Sequence, residues 1–82
     1  MSGWKPRASD VNWMRQHFRS LAVGGVWSYR TEPIIFKKED EKTFALVIAD
    51  ESFPGVVDQI QRNKLVMAEA GITFVDRRSK KL

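Results

Sequence analysis

Two groups of side chains are spaced so that they could do chemistry: cations interleaved with aromatic rings near the N-terminus, and carboxylates in the middle of the chain. Trp4, Lys5 and Arg7 surround Pro6, Arg15 and Arg19 stand one helical turn apart, and Trp27, Tyr29 and Arg30 follow in quick succession. Aromatic rings offer faces on which an unpaired base stacks, and cations neutralise phosphates, so the chemistry implied is binding of nucleic acid, RNA or DNA. The chain closes on a second cationic cluster, Arg77, Arg78, Lys80 and Lys81. Trp4 is the strongest stacking candidate, because an N-terminal arm has little other use for an indole; folding back as a lid on the core carries equal weight. Trp13 and Trp27 are expected in the core, since a small domain needs their buried area.

Catalytic groups are harder to assemble. His17 is the single histidine and there is no cysteine, which excludes disulfides, thiol catalysis and thiolate metal sites. A histidine base needs a carboxylate or hydroxyl partner; Trp13, Met14, Ser20 and Leu21 are its helical neighbours, so a packed, hydrogen-bonded histidine is expected. Glu39, Asp40 and Glu41 fall with Lys42 in a charged turn, where solvated charges are the default. Asp50 and Glu51 lie between an apolar run and a helix. With Asp76 they offer a hard-cation site, but the simpler reading is that a helix dipole steadies acids at that position. No glycine-rich loop is present to cradle a phosphate there. The expectation is a protein without catalytic machinery, metal or cofactor.

The charges are distributed unevenly. Residues 1–31 hold five cations against Asp10 alone, residues 32–76 hold nine acids against five cations, and the last six residues hold four cations and no acid. Two basic ends around an acidic middle suggest where an anionic partner docks, and the pI near 9.8 agrees. Eighty-two residues make one domain, burying about 60–65% of its unfolded surface. The longest apolar run, Phe44 to Ala49, is too short for a membrane span or a signal peptide. A soluble protein of the cytoplasm is expected, with no membrane partner.

The elements that must position these groups follow from periodicity and punctuation. Residues 1–8 read as a flexible basic arm, 9–76 as a single domain and 77–82 as a basic tail. Ser9 or Asp10 is expected to cap a helix with Trp13, His17 or Phe18, and Leu21 on its apolar face and Asn12, Arg15, Gln16 and Arg19 opposite, stopped by Gly24 and Gly25. Strands are expected over 26–31, 34–38 and 43–49, the third central because it is apolar throughout. Pro54 suits the first turn of a second helix, whose stripe is Val57, Ile60, Lys64, Met67 and Ala68. Gly71 is its left-handed cap, and Thr73 to Asp76 is the last strand. The order α-β-β-β-α-β predicts an α+β fold, with two helices packed on one face of a small, mainly antiparallel four-stranded sheet. The other sheet face is then open.

Three families share parts of this pattern. The order is similar to the core of the restriction-endonuclease-like nucleases, whose metal site uses an acidic-x-Lys triplet; Asp40-Glu41-Lys42 matches that triplet but falls in a turn, not on a strand. Ala70-Gly71-Ile72-Thr73-Phe74-Val75-Asp76-Arg77-Arg78 resembles the helix-to-strand joint of class II aminoacyl-tRNA synthetase anticodon-binding domains, over less than half of the chain. The α-β-β-β-α portion is similar to double-stranded-RNA-binding domains. Their second helix opens on lysines, whereas here Pro54-Gly55-Val56-Val57-Asp58 stands in that place.

The reading is therefore a small binding module that contacts RNA or DNA through Trp4, Lys5, Arg7, Arg15, Arg19, Arg30, Arg77, Arg78, Lys80 and Lys81. The rival is a module for protein–protein contact or homodimer formation through the open sheet face or an edge strand.

Overall fold

Helix α1 (Ala8–Ser20) is followed by strands β1 (Val26–Ser28), β2 (Ile34–Lys38) and β3 (Thr43–Ala49), helix α2 (Val56–Glu69) and strand β4 (Thr73–Asp76). This computed structural model describes residues 3–78. Lys80 and Lys81 of the basic tail lie outside the described residues. The sheet order is β1-β2-β3-β4. The first two neighbours pair antiparallel, and β4 runs parallel to β3 because α2 carries the chain back between them. The expected α+β architecture is the one observed.

The helix starts differ from expectation by a residue or two, for physical reasons. Helix α1 begins at Ala8, with Arg7 at its cap position. Asp10 therefore serves from inside the first turn, accepting the Arg7 backbone N–H at 3.4 Å. Pro54 is not in the first turn of α2 but in the preceding loop, where Asp50 accepts from Phe53 and Phe53 from Val56. The buried stripe of α2 is Val56, Ile60, Asn63, Val66 and Met67, and Val57 is exposed. Adjacent valines offer two helical phases about 100° apart. The phase chosen buries an asparagine, which a reading by hydrophobicity passes over.

Met14 and Phe18 of α1, Val56, Ile60, Val66 and Met67 of α2, and Ile34, Phe36, Phe44 and Leu46 of the sheet form one core, closed by Ile72. The two helices share the sheet face that carries Phe36 and Phe44. Strand β3 is internal, as expected, but only Phe44, Ala45 and Leu46 are buried in succession. A register shift between Ile35 and Phe36, which face Ile48 and Leu46, leaves Val47 as an extra residue. That β-bulge turns Ile48 out to the open face, where it is exposed along with Val26.

Lys38 points inward from β2 with its ammonium buried, donating to the backbone oxygens of Phe18 and Leu21, each at 2.8 Å. It sits 4.5 Å from the Phe18 ring centroid. Both carbonyls lie at the end of α1, where the regular helical acceptor–donor ladder runs out, and a cation there also meets the negative end of the helix dipole.

At the other helix C-terminus Ile72 donates to Met67 and Gly71 to Ala68, at 2.9 and 3.2 Å. Gly71 has φ of 77°, so this is the left-handed glycine cap that the sequence predicts. A Cβ at Gly71 would meet nothing within 4 Å, which leaves backbone strain as the main penalty. Gly71→Ala should lower stability by about 1 kcal/mol, read as a shifted urea midpoint at unchanged slope.

Candidate functional site

Helix α1 lays two stripes side by side. Met14 and Phe18 enter the core, while Trp13 and His17, one residue earlier, fall on the flank above β1. There the Trp13 and His17 rings stack at 4.8 Å and 8°. Trp27 comes up from β1 with its centroid 5.3 Å from His17 and 5.5 Å from Trp13, and Tyr29 lies 4.9 Å from Trp27. Trp27 also reaches Phe36 and Phe44, tying this wall to the core. Trp13 is 52% exposed, which corrects the expectation that it is a core residue. The core stripe is already filled by Met14 and Phe18, and an indole one position round the helix has nowhere deeper to go.

The wall borders a cleft of about 480 Å³ between α1, α2 and β1, within the ordinary size range of ligand sites. Trp4 and Arg7 close one side, and Gln59, Arg62 and Asn63 of α2 close the other. Trp4 packs against the core with the Arg62 guanidinium 5.1 Å from its ring, so the arm does fold back here. Arg62 also holds Asp58 at 3.0 Å. His17 is packed as expected, but by rings; its Nε2 is buried with no hydrogen-bond partner among the described residues.

A hydrogen-bond chain fixes the inner edge of the cleft. Gln59 Nε2 donates to the Tyr29 hydroxyl at 3.1 Å, and that hydroxyl donates to Asn63 Oδ1 at 2.8 Å. The Asn63 side-chain nitrogen then remains buried without an acceptor among the described residues. Burial pushes the Tyr29 hydroxyl above its ordinary value, the charge of Glu32 adds to this, and the Gln59 donation opposes it. The fold thus favours the neutral phenol: its contribution to stability is intact below pH ~10 and is lost as pH rises towards the native value. Tyr29 is the single tyrosine, so tyrosinate absorbance should titrate with a midpoint above 10 in the native protein and near ~10 in denaturant. Equal midpoints would contradict the buried network.

The remaining cations predicted for the site are scattered. Arg30 is exposed at the end of β1, beside the wall. Lys5 and Arg19 are exposed and Arg15 donates to Asn12 Oδ1 at 3.1 Å; none of these three lines the cleft. Arg77 and Arg78 follow β4, at the sheet edge opposite β1. Arg77 grips both Glu39 oxygens at 3.0 and 3.2 Å. Arg78 is held by Asp76 and Glu51, each at 2.7 Å. These carboxylates raise both guanidinium pKa values further. Glu51 and Asp76, weighed as cation ligands, do come together, and they do so around a guanidinium of the chain itself. Asp50 accepts instead from the Ser52 backbone and hydroxyl, which lowers its pKa. Asp40 is lowered likewise by the Lys42 backbone N–H and the Thr43 hydroxyl in the β2–β3 turn.

Sequence reading missed Trp13, Gln59, Arg62 and Asn63 as members of one cleft. The polar residue interrupting the α2 stripe at Asn63 was the available signal, since a buried amide needs a partner. Comparison of the chain with known protein families, curated sequences and solved structures finds no match.

Proposed function

We propose that this protein is a small non-enzymatic binding module whose cleft takes the bases of a single-stranded nucleic acid, RNA or DNA. The observation that carries the reading is the clustering of Trp4, Trp13, Trp27 and Tyr29 with Arg7 and Arg62 around one concavity, where Asp10 is the single acid. Rings supply sequence-tolerant stacking and guanidinium groups supply phosphate contacts and stacking of their own. Asn63 adds a buried amide donor of the kind that a carbonyl on a base edge satisfies. The binding surface on this reading centres on the N-terminal arm, α1 and β1. Arg77 and Arg78 belong to the cohesion of the sheet edge, because binding phosphate there would first break their carboxylate pairs.

Titration with short single-stranded and duplex oligonucleotides, followed by tryptophan fluorescence at several salt concentrations, tests the proposal. Single strands should quench the indoles and bind more tightly than duplexes of equal length. The logarithm of affinity should fall with the logarithm of salt at a slope of about −0.7 per phosphate contacted. With only Arg7 and Arg62 as cations at the cleft, and Arg62 already paired with Asp58, that slope should be shallow, about −1 to −2. Absence of quenching, or equal binding of duplex and single strand, would overturn the reading and direct attention to the exposed Val26 and Ile48 of the open sheet face.

A further inference from the structure

The wall has a second side. Another concavity, of about 520 Å³, is lined by Trp13, Trp27, Ser28, Tyr29, Arg30 and Thr31. Trp13, Trp27 and Tyr29 therefore border both spaces. One compartment carries Arg7 and Arg62, the other Arg30, and no acid lines the second. We infer that the site, on the single-strand reading above, is built for two consecutive nucleotides, one base in each concavity, with the linking phosphate passing along the shared aromatic wall.

Three observations support a two-nucleotide unit. The aromatic surface is continuous from Trp13 through Trp27 to Tyr29, and successive bases of a single strand stack on aromatic side chains. Both compartments carry cations, Arg7 and Arg62 in one and Arg30 in the other, to meet a chain with one negative charge per nucleotide. Each also has its own polar groups for a base edge or a sugar: Gln59 and Asn63 on one side, Ser28 and Thr31 on the other. The wall is held before any ligand arrives, by the His17 stack on Trp13 and by the contacts of Trp27 with Phe36 and Phe44. Binding should then require little reordering of these rings.

The test measures affinities of uridine mono-, di- and trinucleotides and their deoxyuridine counterparts, by tryptophan fluorescence and by shifts of the indole N–H resonances. The dinucleotide should bind about tenfold or more tightly than the mononucleotide, and the trinucleotide within about threefold of the dinucleotide. Arg30→Ala, at an exposed position, should remove most of the gain from the second nucleotide. A dinucleotide no tighter than a mononucleotide would overturn the two-nucleotide unit while leaving a base-binding cleft. Equal gains at every added nucleotide would overturn it too. No binding at any length, including a longer oligonucleotide, would overturn the single-strand reading itself. Deoxyuridine nucleotides, which differ from the uridine series in the 2′-OH alone, distinguish RNA from DNA.

Discussion

Lys38→Met should cost about 2–4 kcal/mol of folding stability, a large share of the total for a domain this size. The ammonium is buried and makes two 2.8 Å bonds to the Phe18 and Leu21 carbonyls at the end of α1. Methionine fills similar space and removes the charge together with its donors, so no orphaned cation remains. Phe18 O keeps the 3.2 Å bond from the Leu21 N–H. The lysine donation to Leu21 O has no replacement from methionine. The ion pair of Lys38 with Glu41 is a different matter: it spans 3.6 Å and the carboxylate side chain is 82% exposed. Glu41→Gln should therefore change stability by no more than about 0.5 kcal/mol. Urea unfolding of the two variants separates the readings. If Glu41→Gln proved as damaging as Lys38→Met, the lysine would be acting through its ion pair and not as a helix cap.

Trp13→Ala should weaken single-strand binding by about 10- to 100-fold, the loss expected for one base-stacking surface. Its stability cost should stay near ~1 kcal/mol, because half of the indole is already in water. Arg77→Ala should do the reverse. Its guanidinium is tied to Glu39 across the sheet edge far from the aromatic wall, so affinity should hold within about twofold. Losing an exposed ion pair costs little stability either. Fluorescence titration of both variants, beside their urea midpoints, reads the two quantities independently. Equal losses of affinity in the two would mean that the surface is electrostatic and diffuse, and the aromatic cleft would lose its assigned role.

The cleft also explains why the site was only half legible. Tryptophans and arginines could be named as stacking and phosphate-binding types, and Trp4, Arg7 and Arg30 do border the two concavities. Arg77 and Arg78 were equally plausible by type and turned out to be engaged at the opposite edge. A charge is visible in sequence; its partner generally is not. Glu39 is 38 residues from Arg77 along the chain, and Glu51 is 27 from Arg78. The pairs exist because β4 adds beside β3 and brings Arg77 and Arg78 within reach of the turns at either end of that strand.

What the sequence by itself determined was the order and type of the elements. Helical and strand periods and the glycine cap at Gly71 are all local, and each agrees with the fold as a whole. Helix α1, by contrast, ends at Ser20 with an extended Leu21 cap, ahead of the Gly24-Gly25 stop that the sequence suggests. The apolar run of β3 also set its internal place, because a strand without an alternating polar face has to be flanked. Tertiary structure alone decided which face of each helix counts. Neighbouring apolar residues at 13–14 and 56–57 gave two defensible phases each, and the choice depended on groups far away in sequence. Met14 and Val56 went inward because the sheet offered Phe36 and Phe44 there, and because Asn63, on the same stripe as Val56, found the Tyr29 hydroxyl 34 residues away. That one choice of phase turned Trp13 out over β1 and built the aromatic wall. The reason is physical: burial rewards the face of the whole assembly that closes best, and no single segment contains that information.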